Sequence, residues 1–164
     1  MKKLLLLIAF AGLPLLAGCP PLTSTQENQK RVFNLKKHLF FEEIYTKPFS
    51  PELLKEAIYY LEIRSPEIAF RQAVHETGNF RSDIFKQGFN CFGMRYARVR
   101  PTKATGIYKH HAKYDHWLNS VIDYKLWQDF YIKKGHDLRD YYTFLKDLPY
   151  ATDKRYISKL KSIV

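Results

Sequence analysis

"SPEIAFRQAVHETGNF", residues 65–80, carries both ends of a helix in its residue types. Ser65 is a capping residue, Pro66 suits the first helical position, and Gly78 takes the left-handed conformation that closes a last turn. Between them Ile68, Ala69, Phe70, Ala73 and Val74 are apolar on more than one side, so the spacing predicts a buried helix. That helix ends on His75-Glu76. A carboxylate in apolar surroundings needs a partner or a chemical role.

On the N-terminal side, the same Ser-Pro-Glu opening occurs at Ser50-Pro51-Glu52, followed by Leu53, Leu54, Ala57, Ile58 and Leu61 at helical spacing. On the C-terminal side the helical pattern lapses between Gly78 and Tyr114. Gly88, Gly93, Pro101 and Gly106 punctuate a stretch that suits a small hairpin or an irregular lobe. From Asp115 onward a helical pattern returns, with Trp117, Val121, Tyr124 and Tyr131 on one side and Leu118, Ile122, Leu126 and Phe130 on another. Leu138, Tyr141, Tyr142 and Leu145 follow at helical spacing, and a last helix is expected over about 153–163. The fold expected is mainly α, with one small irregular or β lobe inserted after the helix that ends at Glu76.

The 164 residues suit one domain. Its 12 Tyr, 12 Phe and 2 Trp argue for an ordered globule rather than disorder. Residues 1–18 read as an export signal: Lys2 and Lys3 precede an apolar run from Leu4 to Leu16 that is too short for a membrane span. Residues 20–30 (PPLTSTQENQK) are polar and without periodicity, so 19–31 reads as a flexible tether and 32–164 as the domain. The formal charge is +11, and removing residues 1–18 deletes two lysines, leaving 11 − 2 = +9. In an exported domain that charge suits anionic lipid or a carboxylate-bearing wall polymer rather than nucleic acid, and the basic residues are spread along the chain rather than massed.

Several chemistries are set aside on the residues. His75-Glu76 lacks the second histidine of a zinc-protease helix, because position 79 is Asn. His110, His111 and His116 have no nearby Cys or carboxylate set, so no metal is expected and they read as solvated or ring-stacking. Cys91 reads as a small apolar filler. Glycoside hydrolysis fits Glu76, because protonating a leaving sugar oxygen needs a carboxyl group whose pKa burial has raised; a hydrogen-bonded structural carboxylate is the alternative.

Four motifs in order sharpen this reading: His75-Glu76-Thr77-Gly78-Asn79-Phe80; Asn90-Cys91-Phe92-Gly93-Met94; Tyr114-x-x-Trp117-x-x-Ser120-Val121-x-Asp123-Tyr124; and Tyr150-Ala151-Thr152-Asp153 with Tyr156. Over roughly residues 50–164 the chain resembles the bacterial glucosaminidase family, glycoside hydrolase family 73, the domain of autolysins and of the flagellar-rod peptidoglycan hydrolase. The resemblance implies a lysozyme-like fold that cleaves the β-1,4 bond after N-acetylglucosamine in peptidoglycan glycan strands, with no cofactor. It implies Glu76 as the general acid and Tyr150 as the second catalytic group, with Tyr156 as the other choice for that role. Asn90, Phe92, Gly93 and Tyr156 are implied as substrate-binding, with loop-fixing equally open for Asn90 and packing or turn roles for Phe92 and Gly93. Trp117, Val121 and Tyr124 read as core, and Asp123 as the partner of a backbone or Arg group.

Leu16-Ala17-Gly18-Cys19 resembles the lipobox of bacterial lipoproteins, which implies lipidation of Cys19 and a membrane-anchored, envelope-located protein; a monomer is expected. The sequence departs from the family in its second carboxylate. Phe85 to Tyr114 contains no Asp or Glu, Asp83 and Asp115 flank the lobe without matching a motif, and assistance by the substrate's N-acetyl group stays open. A muramidase or lytic transglycosylase on the same fold, or a wall-binding lipoprotein without turnover, are the alternatives.

Overall fold

The computed structural model describes residues 23–135, 140–148, 150–151 and 153–163. The expectations for residues 1–18, for Cys19 and for Leu138 lie outside the described residues. The chain divides into two units, one ending at Lys36 and one running from Lys37 onward. In the first, the described residues are helical from Ser24, the start of helix α1 (Ser24–Ile44). The helix thus begins inside the stretch expected to be an aperiodic tether. Residues 25 and 27–31 are exposed, so no apolar face was visible there in the pattern.

The second unit holds the site. Helix α2 (Pro51–Tyr60) opens as expected: the Ser50 hydroxyl accepts the Leu53 N–H at 3.2 Å, and Leu54, Ala57 and Ile58 are buried. Full burial of side chains such as Leu54 and Ile58 stabilises by roughly 1.5–3 kcal/mol each. Helix α3 (Pro66–Glu76) buries Ala69, Gln72 and Ala73. Its start departs from expectation. Ser65 is left-handed (φ 53°) and makes no capping bond, whereas a capping residue needs extended backbone. The reason is tertiary: the side-chain amide of Gln128 accepts from Arg64 N–H (2.9 Å) and donates to Arg64 C=O (3.1 Å), which sets how the chain enters α3.

The lobe between α3 and the next long helix is more ordered than the punctuation suggested. A short helix α4 (Asp83–Gly88) is capped by Ser82, whose hydroxyl accepts the Phe85 N–H. Strands β1 (Gly106–Tyr108) and β2 (His111–Lys113) pair antiparallel, with Ile107 opposite Ala112. Between them Lys109 and His110 are both left-handed, the pattern of a two-residue type I′ turn made here without glycine.

Helix α5 (Trp117–Lys133) is the central element. Trp117, Leu118, Ser120, Val121, Asp123, Tyr124 and Gln128 are all buried, so it is enclosed on most of its circumference. His116 caps it, its Nδ1 accepting the Leu118 N–H, and packs its ring at a tilt against Tyr45 and Trp117. Helices α6 (Tyr141–Asp147) and α7 (Tyr156–Lys161) complete the unit. One apolar cluster joins α2, α3, α4 and the first half of α5; a second, of Tyr141, Phe144, Leu145, Leu148, Tyr156 and Leu160, joins α6 to α7. Trp127 and Tyr150 touch both. The result is the mainly helical, lysozyme-like architecture expected, with its small lobe after α3. Among the described residues no helix is long and apolar enough to cross a membrane.

Candidate active site

Helix α3 ends in a Schellman motif: Gly78 N–H donates to His75 C=O (3.1 Å) and Asn79 N–H to Val74 C=O (2.8 Å). Gly78, Asn79 and Phe80 are then left-handed in succession, which turns the chain sharply away. Glu76 therefore occupies the last helical position, on the wall of a groove of about 730 Å³. Burial raises the Glu76 pKa above the usual carboxylate value, opposed by a hydrogen bond from Tyr156 and by the charge of His75. The C-terminal end of a helix also disfavours a negative charge, so position and burial act in one direction.

Gly93 faces this carboxylate. It is left-handed (φ +62°), and a Cβ built on it would lie 2.7 Å from Glu76 Oε2. Here glycine is required twice, by the backbone conformation and by the space the carboxyl group occupies. The turn carrying Gly93 is fixed by Asn90, which is buried with every hydrogen-bonding position filled: Nδ2 donates to Met94 C=O (2.9 Å) and Ala112 C=O (2.8 Å), and Oδ1 accepts from Phe92 N–H (3.2 Å) and Met94 N–H (3.1 Å). Asn90 thus fixes the loop and has no free group for a sugar. Phe92 is fully buried and stacked on Tyr124 at 4.1 Å, a core residue rather than a groove contact.

The two tyrosines divide differently from the expectation that put Tyr150 first. The Tyr150 hydroxyl donates to Phe92 C=O at 2.7 Å and so holds the Gly93 turn from the other side. The Tyr156 hydroxyl is the one that acts on Glu76, holding its pKa down against burial. The two rings stack at 6.0 Å, and both line the groove. Burial pushes both phenols well above their ordinary pKa, so they act as neutral donors.

The far wall is the segment after Met94. Arg95, Tyr96, Arg98, Val99 and Arg100 line the groove. Arg100 is tied down: its guanidinium donates to both oxygens of Asp123 (2.9 and 3.2 Å), which also accepts from Tyr114 O–H (2.8 Å) and Lys103 N–H (3.1 Å). Asp123 is thus a partner of Arg and backbone, as its place in α5 suggested. Arg95 and Arg98 are exposed, and among the described residues no ion pair holds either. Sequence reading passed over both, although they follow directly on the Gly93-Met94 motif. It also passed over Gln72, one helical turn before Glu76 and therefore on the same face.

The second carboxylates considered from sequence are elsewhere. Asp83 pairs with Lys109 of the hairpin turn (2.5 Å), and Asp115 accepts the Thr105 hydroxyl (2.8 Å). Neither lines the groove; Asp153 does, held by Lys159 (2.6 Å) and Arg155 N–H (2.8 Å), which keep its pKa low. Cys91 is buried, its thiol pushed up to about 12 by burial, an inert filler as expected.

Residues 53–164 match the model of the glucosaminidase family, described as mannosyl-glycoprotein endo-beta-N-acetylglucosaminidase. The chain belongs to the glucosaminidase family. No curated protein and no solved structure matches it. The glucosaminidase match begins in α2 and takes in Glu76, Gly93, Tyr150 and Tyr156, so the whole groove described above falls within the family's domain. This glucosaminidase is accordingly a glycoside hydrolase with a glycan substrate.

Proposed function

We propose that this glucosaminidase is a peptidoglycan hydrolase that cleaves the β-1,4 bond after N-acetylglucosamine, with Glu76 as general acid. The observation that carries the reading is the Glu76 carboxyl group: partly buried at the end of α3, raised in pKa, against a glycine and within the groove. In its protonated form it donates to the glycosidic oxygen as the C–O bond breaks and the bond's electron pair passes to that oxygen. Tyr156 then steadies the resulting carboxylate through its hydrogen bond, and Tyr150 holds the turn that covers it.

The reacting carbon needs a second group. Asp153 is the other carboxylate among the lining residues and is already engaged by Lys159 and Arg155. Attack by the substrate's own N-acetyl oxygen, followed by water, is the route this arrangement favours. Arg95 and Arg98 support a polymer carrying carboxylates, as peptidoglycan does on its stem peptides, over a neutral glycan.

The test is digestion of purified peptidoglycan by the protein beside its Glu76→Gln variant, with reducing ends identified by mass spectrometry. The expected result is release of fragments ending in N-acetylglucosamine, reduced by about 10²–10⁴-fold in the variant. Activity should fall as pH rises through the raised Glu76 pKa, since only the protonated acid donates. Fragments ending in muramic acid or its anhydro form would move the cleaved bond, and binding without cleavage by either protein would sink the hydrolase reading.

The lipobox-like Leu16-Ala17-Gly18-Cys19 further supports an envelope location with a lipid anchor at Cys19. The intact mass of protein extracted from membranes checks this: loss of residues 1–18 and acylation of Cys19 are expected, and an unmodified N-terminus would refute it.

A further inference from the structure

Behind Glu76 runs a series of buried polar side chains of which the hydrolase reading uses only the last, Tyr156. It starts at Arg64, whose backbone N–H donates to Gln128 Oε1 (2.9 Å) while its C=O accepts from Gln128 Nε2 (3.1 Å). A backbone N–H can only donate and a C=O can only accept, so the orientation of the Gln128 amide is dictated. Its second Nε2 hydrogen goes to Tyr141 Oη at 2.7 Å. Tyr141 and Tyr124 are hydrogen-bonded to each other, and the Tyr124 hydroxyl lies 2.5 Å from Gln72 Oε1. That oxygen can only accept, so Tyr124 gives it its hydrogen and must take one from Tyr141. Gln72 Nε2 then donates to Tyr156 Oη at 3.1 Å. Tyr156 lines the groove together with Glu76 and, with one hydrogen of its own, is left to donate toward it.

We propose that this chain, Arg64 backbone to Gln128, Tyr141, Tyr124, Gln72 and Tyr156, is polarised in one direction, and that Gln72 and Tyr124 are positioning residues that keep the Tyr156 hydroxyl pointed at Glu76. Every member donates toward the groove. Turning the Gln72 amide over would offer N–H to Tyr124 and leave a buried hydroxyl hydrogen of the Tyr124–Tyr141 pair without an acceptor, because Gln128 Nε2 faces that pair as a donor. The same turn would point Gln72 Oε1 at Tyr156 and draw its hydrogen away from Glu76. Gln72, Gln128, Tyr124, Tyr141 and Tyr156 are all buried, so water does not repair a broken link.

The relevance to catalysis rests on Glu76 being the acid; the polarity of the chain does not. The experiment therefore reads Glu76 directly, by ¹³C NMR titration of the carboxyl group in protein labelled at glutamate, assigned with Glu76→Gln. Two variants each remove one buried hydroxyl: Tyr124→Phe on the chain, and Tyr114→Phe off it, where the hydroxyl serves Asp123. Tyr124→Phe keeps the ring that stacks on Phe92. It frees Gln72 to turn, so the Glu76 midpoint should move up, in the same sense as in Tyr156→Phe and by less; Tyr114→Phe should leave it in place. The alkaline limb of the activity profile should follow.

Tyr156 and Tyr150 face Glu76 from the C-terminal segment and His75 from its own helix. Arg95, Arg98, Arg100, His111 and Asp153 line the rest of the groove. All of these remain in Tyr124→Phe, so none accounts for a shift. Should Tyr124→Phe fail to fold, Gln72→Leu asks the same question, because Tyr156 then loses the amide that holds it and the midpoint must again rise. An unmoved midpoint in the folded variant, or an equal shift in Tyr114→Phe, overturns the proposal. A shift in a protein that cuts no glycan would leave the chain standing and remove the hydrolase reading instead.

Discussion

The two walls of the groove are held in different ways. On the helical wall, Tyr150 and Tyr156 are each fixed by a buried partner, and Gly93 fits against the Glu76 carboxylate with no space to spare. On the other wall, Arg95, Tyr96, Arg98 and Val99 are exposed, and Arg100 is tied to Asp123. Acid catalysis depends on the position of a proton to within a fraction of an ångström, so its groups need over-determined placement. Recognition of a flexible charged substituent tolerates long side chains that search for it. The difference between the walls separates chemistry from recognition.

The comparison can be broken most sharply at the tie itself. Asp123→Ala leaves the Arg100 guanidinium buried without its counter-charge and strips an acceptor from Tyr114 and Lys103. Loss of one partner from a buried pair costs about 3–5 kcal/mol, which urea unfolding will show; an effect below about 1 kcal/mol would mean that the loop wall is not held there. Gly93→Ala attacks the rigid wall. Its Cβ enters the space of Glu76 Oε2, and displacement of a catalytic group by an ångström costs on the order of 10²-fold. Turnover should fall by about that much while binding of the polymer persists, and wild-type turnover would show that the carboxylate can move aside.

The smallest effect belongs to the loop wall. Arg95→Gln with Arg98→Gln should raise KM on peptidoglycan by roughly tenfold, the order expected for losing a charged hydrogen-bonding contact, and leave turnover nearly unchanged. The loss should shrink on a polymer whose stem carboxylates are amidated. Equal loss on both polymers would argue against carboxylate recognition.

These contrasts also explain what the sequence disclosed. Helices α2, α3 and α5 were legible because burial imposes a period on Leu54, Ala57 and Ile58, and on Leu118, Val121 and Tyr124. Glu76 was legible because its helix is apolar and its stop is written in Gly78. Helix α4 was not, because six residues are too few to establish a period and Gly88 reads as a break. Ser65 misled because the clamp of Gln128 on Arg64, 64 residues apart in the chain, overrides local capping chemistry. Asn90 was visible as important, but only the folded loop shows that its four hydrogen bonds all point inward. Motif order brought both Tyr150 and Tyr156 to the groove, but only the folded loop shows that the Tyr150 hydroxyl is spent on the Phe92 carbonyl.

The hairpin turn at Lys109-His110 has a consequence for engineering. Two side-chain-bearing residues occupy left-handed backbone where Asn-Gly would sit without strain, and the turn lies on the outer edge of the lobe, joined to α4 through the exposed Lys109–Asp83 pair. Lys109 and His110 themselves do not line the groove, although the neighbouring His111 does and its ring bonds to the Lys109 carbonyl. The domain therefore holds a reserve of thermal tolerance in a turn whose own side chains lie outside the groove, available to improvement that keeps His111 in place.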